Sequence, residues 1–309
     1  MITTKSSSVF AAIVLLMGRP LMAQTADAAR SGAPTVDCPS CIEWNAPHSP
    51  LRIHGNTYYV GTNGLSAVLI TSPAGHVLID GGLVESATPI IEHIRSLGFR
   101  VEDVKLILNS HAHFDHAGGI AALQRASGAT VAASPWSAAV IERGTSGTDD
   151  PQHGILLPYP AASHVRVIRD GEVVRVGSLA LTAHFTPGHT PGGTSWSWQS
   201  CEQDHCLELV YADSQTPVSA DGFLFTKSTT YPTAIADFER GFAALERMRC
   251  DILITPHPSA SGLWTRVAAR DAGNASALID PDACRRYAGV ARAALAKRIA
   301  TETRPTTTP

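Results

Sequence analysis

The 309-residue chain is poor in charge, in lysine and in long apolar runs, and each shortage closes off a class of protein. Charged residues make up 17% of it, and only four are lysines (Lys5, Lys105, Lys227 and Lys297). No block of basic residues occurs and the formal net charge is −3, which argues against nucleic acid as the main partner. Past the first twenty residues nothing is long and apolar enough to span a bilayer. None of the four lysines has a serine three residues before it, and no Gly-x-Ser-x-Gly is present. A serine acyl-enzyme route therefore has no anchor, and a Walker phosphate loop is also missing. Intrinsic disorder is excluded as the general state, because 44% of the residues are hydrophobic and a chain of this length can bury a full core.

The N-terminus has the form of a secretory signal peptide. Lys5 supplies a positive start, Val9–Met17 is an apolar run too short to cross a membrane, and small residues follow, with cleavage expected after Ala23 or as late as Ala28. Export to the periplasm is the expectation. The six cysteines agree with it, since an even count in an exported chain suggests disulfides. They fall into plausible pairs, Cys38 with Cys41, Cys201 with Cys206 and Cys250 with Cys284, although six cysteines allow fifteen connectivities. Cys38-Pro-Ser-Cys41 is also open to reading as a redox dithiol or half a zinc knuckle, but no second such pair completes a knuckle and no thioredoxin-like βαβ pattern surrounds it.

Turn residues divide the rest. Tyr58–Val60, Ser66–Thr71 and His76–Asp80 are separated by Gly61-Thr-Asn-Gly64 and Ser72-Pro-Ala-Gly75, the pattern of a β-meander. A helix is expected from Thr88 as N-cap, with Pro89 at its first position, Ile90, Ile91, Ile94 and Leu97 on its apolar face, and Gly98 ending it. Val104–Leu108 reads as a buried strand running into Asn109-Ser-His111. Helices are expected at 117–127 and 136–143 around a strand at Thr130–Ala133, followed by a polar surface loop over 144–165. Strands then follow at Val165–Ile168, Glu172–Val176, Leu179–Phe185, Thr194–Trp198, Glu208–Ala212 and Asp251–Ile254, with helices at 233–249 and 281–300. The order suggests two similar halves, each a sheet with helices outside. The expected class is α/β in content and α+β in arrangement, a four-layer αββα sandwich forming a single domain over 24–303, with residues 304–309 a disordered tail.

The thirteen histidines are the one excess, and their placement is not random. His111-Ala-His113-Phe-Asp115-His116 follows directly on a strand, and two histidines two apart on extended chain point the same way. Two more histidines stand after strand ends, each in a proline-containing turn: Thr186-Pro-Gly-His189 and Thr255-Pro-His257. Three strand ends carrying imidazoles and a carboxylate imply one rim and one site, with donors suited to zinc. Five histidines and one aspartate suffice for two metals with three protein ligands each, which leaves the open position of a catalytic zinc. The remaining histidines have no such context, and His184, on an alternating strand, is expected in the core.

These motifs resemble the metallo-β-lactamase superfamily. The stretches Gly55-Asn-Thr-Tyr-Tyr-Val-Gly61, Ile79-Asp-Gly-Gly82, Thr186-Pro-Gly-His-Thr-Pro-Gly-Gly193-Thr-Ser-Trp196, Tyr211-Ala-Asp-Ser214 and Pro256-His-Pro258 narrow the resemblance to subclass B3. The match runs from about Trp44 to the last helix. It implies two zinc ions per chain, the first on His111, His113 and His189 and the second on Asp115, His116 and His257. Subclass B1 has a cysteine at the second zinc; none lies near the corresponding stretch here, where Ser214 stands. The implied activity is hydrolysis of the lactam amide of penicillins, cephalosporins and carbapenems by a zinc-bound hydroxide that Asp115 orients, the basis of antibiotic resistance. β-Lactams are the implied partners, met by Ser214 and Thr216 at the substrate carboxylate, and a monomer is expected. The resemblance also supports a Cys250–Cys284 disulfide. Gln152 and Ile155-Leu-Leu157, on the long loop, are candidates for lining the pocket.

Two other readings remain. In lactonases and glyoxalase II-like thioesterases of the superfamily an aspartate bridges both metals, and Asp213 occupies the matching stretch. A zinc-binding protein without turnover is the other, but such a site is normally closed rather than left with open positions.

Overall fold

The computed structural model describes residues 1–2 and 38–304. The signal-peptide run, its cleavage sites and residues 305–309 of the expected tail lie outside the described residues. Both sheets belong to the unit Val36–Pro309.

Two sheets form the centre of that unit. The first runs β1 (Leu51–His54), β2 (Thr57–Tyr59), β3 (Val68–Ile70), β4 (His76–Ile79), β5 (Val104–Leu108), β6 (Thr130–Ala133) and β7 (Arg166–Val167), each strand beside the next. It is an antiparallel meander as far as β4 and parallel from there to β7. The second comprises β8 (Val173–Val176), β9 (Leu179–Phe185), β10 (Thr194–Glu202), β11 (His205–Tyr211) and β12 (Ile252–Ile254), with only β11 and β12 parallel. Period-two alternation splits every central strand between two cores. Ile79, Leu108, Trp196, Tyr211 and Ile254 face the other sheet and fill the space between the two. Leu78, Ile107 and Val131 face outward beneath α2 (Ala87–Ser96), α4 (Ile120–Ser127) and α5 (Pro135–Arg143), while Val210 and Leu253 lie beneath α6 (Ala234–Arg247) and α8 (Ala283–Glu302). The four-layer αββα sandwich expected from the sequence is the observed fold.

Details differ for local reasons. α2 starts at Ala87, not with Thr88 as N-cap, because a short turn at Val84–Ser86 leads into it. Four pieces were not expected: α1 (Cys41–Trp44), β1, the short α3 (Phe114–Ala117), and α7 (Leu263–Asp271). His184 sits half-buried on the outer face, bonded to Ser197, rather than in the core. β10 and β11 extend to a tight hairpin that Cys201–Cys206 closes. Disulfides also join Cys38 to Cys41 and Cys250 to Cys284, and no cysteine is free. No helix among the described residues is long and apolar enough to cross a membrane.

The Cys250–Cys284 bridge ties the approach to β12 to the first turn of α8 across 34 residues. Loop-closure entropy gives a bridge of that span about 3–4 kcal/mol. The Cys250→Ala/Cys284→Ala variant should lose about that much stability in urea unfolding; a loss below about 1 kcal/mol would mean the bridge adds little to what α8 packing already holds.

Candidate metal centre

The carboxyl ends of β5, β9, β11 and β12 meet at one rim. Past β5 the chain runs without regular structure through Asn109–His113, and its carbonyls are all spoken for. Trp196 Nε1 donates to Asn109 O at 3.1 Å, Thr194 N to Ser110 O at 2.8 Å, Asn109 Nδ2 to His111 O at 2.8 Å, and Tyr159 Oη to Ala112 O at 2.8 Å. These bonds fix the backbone that carries His111 and His113. α3 then turns Asp115 and His116 into the same space. His189 arrives on a turn after β9 in which Gly188 takes φ +137°; a Cβ there would lie 2.5 Å from the Phe238 ring, so only glycine allows the turn to close on α6. His257 follows β12. All six side chains are buried except His257, which is 28% exposed.

One donor atom each from His111, His113 and His189 lies within 4.8 Å of the others, and the same holds for His111, Asp115 and His116. Asp115 Oδ2 is 3.2 Å from His116 Nε2 and 3.3 Å from His257 Nε2. The six residues expected from the sequence therefore converge. Four of the imidazoles have a partner on the nitrogen facing away from the cluster: His111 Nδ1 meets Asp213 Oδ1 at 2.8 Å, His113 Nε2 meets Asp150 Oδ2 at 3.1 Å, His189 Nδ1 meets Thr216 O at 2.8 Å, and His257 Nδ1 meets Gly64 O at 3.2 Å. Partners of this kind set ring orientation and tautomer and leave the other nitrogen as donor.

Asp80 stands below these ligands at the end of β4. It accepts from Ser110 N at 2.7 Å, Ser110 Oγ at 2.6 Å, Asn109 Nδ2 at 3.1 Å and, from the other sheet, Tyr211 Oη at 2.8 Å. Its φ of 61° is a conformation that non-glycine residues rarely adopt, and it is held by these four bonds.

Burial governs the protonation of the cluster. It holds His111 well below the usual imidazole range, with the neighbouring His116, His113 and His189 adding to the effect, and it pulls His189 down to about 3. Burial opposes charge on Asp115 too, but the imidazoles of His116 and His257 outweigh it and keep that carboxyl well below the usual carboxylate range. For His113 burial is outweighed by Asp150, which raises it. Asp213 is pushed well up by burial and by the nearby Asp80. His111 and His189 are thus neutral near pH 7, as metal ligands must be.

The residues fit zinc. His111 Nε2 is buried without any hydrogen-bond partner and is the nitrogen that Asp213 leaves free, and an imidazole and carboxylate set is the set zinc takes. Of the two proposed substrate contacts, Ser214 is buried at the rim and Thr216 is exposed. Thr216 has a use the sequence did not suggest, since its carbonyl is the acceptor behind His189. Gln152 Nε2 comes within 3.3 Å of His189 Nε2. Asp150 was missed: it falls in the stretch read as a surface loop, where no periodicity marks a single inward carboxylate. With Tyr159 it pins that loop to the ligand strand. Asp80 was missed as a support, although a buried strand ending in aspartate before two glycines was a usable signal.

Residues 60–202 match the family described as the metallo-beta-lactamase superfamily. Among solved structures the chain is similar to Rm3 metallo-beta-lactamase, at 55% identity and TM-score 0.85, covering 87% of this chain and 100% of that one. It is also similar to MEM-A1, a subclass B3 metallo-beta-lactamase isolated from a soil metagenome library, at 51% identity and TM-score 0.82, covering 84% and 98%. Among curated relatives, the N-acyl homoserine lactonase AttM of Agrobacterium fabrum (strain C58 / ATCC 33970) is 31% identical over 150 residues, 41% of this chain and 57% of that protein. The chain thus spans little more than half the length of that relative.

The geometry has two measurable outcomes. Asp213→Asn should weaken zinc binding about 10- to 100-fold, as read by chelator competition; unchanged affinity would mean His111 is oriented without it. In the metal-free protein the unfolded state takes up a proton at His189 below about pH 6.5, while the native state resists until about pH 3. Stability should therefore fall as pH drops through that window, and His189→Gln should flatten the fall in urea midpoints between pH 6.5 and 4.

Proposed function

Because the chain belongs to the metallo-β-lactamase superfamily and, within it, to subclass B3, we propose that it is a zinc-dependent β-lactamase. Its substrates are the penicillins, cephalosporins and carbapenems, whose lactam amide it opens, protecting the host cell from them. One observation carries this reading: six donors converge on one rim while Asp213 stays outside them, behind His111.

His111, His113 and His189 would hold one zinc, and Asp115, His116 and His257 a second. Zinc bound there supplies a water whose pKa falls to about 7 and a Lewis acid for the lactam carbonyl. The chain's own groups do the rest. Asp115 accepts a hydrogen bond from the attacking water and so turns a lone pair toward the carbonyl carbon. The hydroxyls of Ser214 and Thr216 donate to the substrate carboxylate. Gln152, whose amide reaches His189, closes the pocket on the loop side and donates to the substrate. The buried walls exclude other water, which strengthens each of these contacts. No side-chain nucleophile takes part, so no acyl-enzyme forms.

The positive start, the apolar Val9–Met17 run and the three disulfides support export to the periplasm. All six donors come from one chain, which supports a monomer as the working unit. The likeness to AttM favours a second reading, lactone hydrolysis. That reading calls for Asp213 on both metals, and its Oδ1 is instead engaged by His111 Nδ1.

The test is the ultraviolet absorbance of a carbapenem incubated with purified protein, then with chelator, then with zinc restored. Loss of absorbance that stops on chelation and returns with zinc is expected. Full zinc occupancy without loss, for a carbapenem, a cephalosporin and a penicillin alike, would overturn the lactamase reading in favour of lactones and thioesters.

A further inference from the structure

We propose that the Cys38–Cys41 disulfide is a positioning device for the half of the site formed by Asp115, His116 and His257. It acts through α1 and Trp44, and this rests on the reading of those three residues as a zinc site.

The bridge closes a loop with a sequence separation of only 3, against 34 for Cys250–Cys284. Loop-closure entropy makes it the least able of the three to stabilise the whole fold, so its effect is local. α1 is a single turn of four residues with no buried side chain, and such a turn does not persist by itself in water. The disulfide closes the Cys38–Cys41 turn directly before α1 and fixes α1's first residue, alongside bonds from Cys41 N to Cys38 O at 3.1 Å and from Trp44 N to Ser40 O at 2.8 Å.

The turn delivers Trp44. Its ring lies 5.1 Å from the His257 ring, centroid to centroid. Its carbonyl accepts from Gly64 N at 3.0 Å and from Thr62 Oγ1 at 2.7 Å, and Asn63 N donates to Ala46 O at 2.9 Å. These bonds hold the Thr62–Gly64 loop, whose Gly64 carbonyl is the partner of His257 Nδ1. The approach is tight: a Cβ on Gly64 would lie 2.6 Å from Trp44 Cα. Trp44 thus touches His257 twice, through its ring on one side and through the backbone of Gly64 on the other. Asn45 Oδ1 also accepts from Ser86 Oγ at 2.6 Å, anchoring the turn's far end. Among the described residues no hydrogen bond or ring pair joins this segment to His111, His113 or His189, whose outward partners are Asp213, Asp150 and Thr216.

The two zinc positions can be told apart by affinity. Chelator competition on wild-type protein should give two zinc dissociation constants, and His257→Ala should identify which belongs to the second position. In Cys38→Ser/Cys41→Ser that constant should rise about 10-fold while the other stays within about 2-fold. Trp44→Ala, which keeps the disulfide, should raise the same constant, and it keeps the proposal testable if the double serine variant does not fold. Cys201→Ser/Cys206→Ser, at the end of β10 farthest from Thr194, should leave both constants alone. Equal weakening of both positions in the double variant would make the bridge a general stabiliser and overturn the proposal. Unchanged constants in both the double variant and Trp44→Ala would overturn it as well. A wild-type protein that binds fewer than two zinc ions would instead overturn the two-zinc reading on which it rests.

Discussion

Five imidazoles and a carboxylate packed into one largely buried cluster call for rings that give up their charge and for rings with an assigned direction. Burial supplies the first condition, keeping His111 and His189 neutral where a free histidine would begin to take up a proton. The second is met one ring at a time. Two carboxylates and two backbone carbonyls hold the outward nitrogens of four rings, and the other nitrogen is left facing inward. The rest of the fold can be understood as the means of bringing those four acceptors to the right places.

They come from separate parts of the chain. Asp213 stands past β11, Thr216 three residues further on, Asp150 in the long loop after α5, and Gly64 in the turn between β2 and β3. An αββα sandwich brings them together because its strands end at a common rim, where loops from both sheets face each other. Asp80 is the joint between the sheets. It binds the ligand strand from below and takes a bond from Tyr211 across the core, so the first sheet cannot shift against the second without breaking a buried carboxylate's bonds. The Trp196 bond to Asn109 makes a second tie at the same level.

The residues of the cluster were legible in the sequence, and their supports were not. His111, His113, Asp115 and His116 announce themselves by spacing after a buried strand, and His189 and His257 by recurring proline turns. Layer order followed from strand and helix patterning, since alternation and apolar faces are properties of short windows. Asp150 and Thr216 act on a single distant histidine each, His113 and His189, and no local pattern encodes that pairing, although Thr216 reads as a substrate contact. The same holds for α1, a turn too short to have a period, and for β1, which pairs only at the sheet edge. Asp213 was noticed, but as a bridging ligand in the competing reading; its position behind His111 depends on the two sheets meeting, which no local pattern encodes.

On the proposed function, the outward bonds preset two metal positions and keep Asp213 out of both. Anomalous diffraction at the zinc edge from crystals grown with zinc tests it most directly. Two peaks are predicted, one bounded by His111, His113 and His189 and the other by Asp115, His116 and His257, with Asp213 still on His111 Nδ1. A single peak, or two peaks bridged by the Asp213 carboxylate, would contradict it.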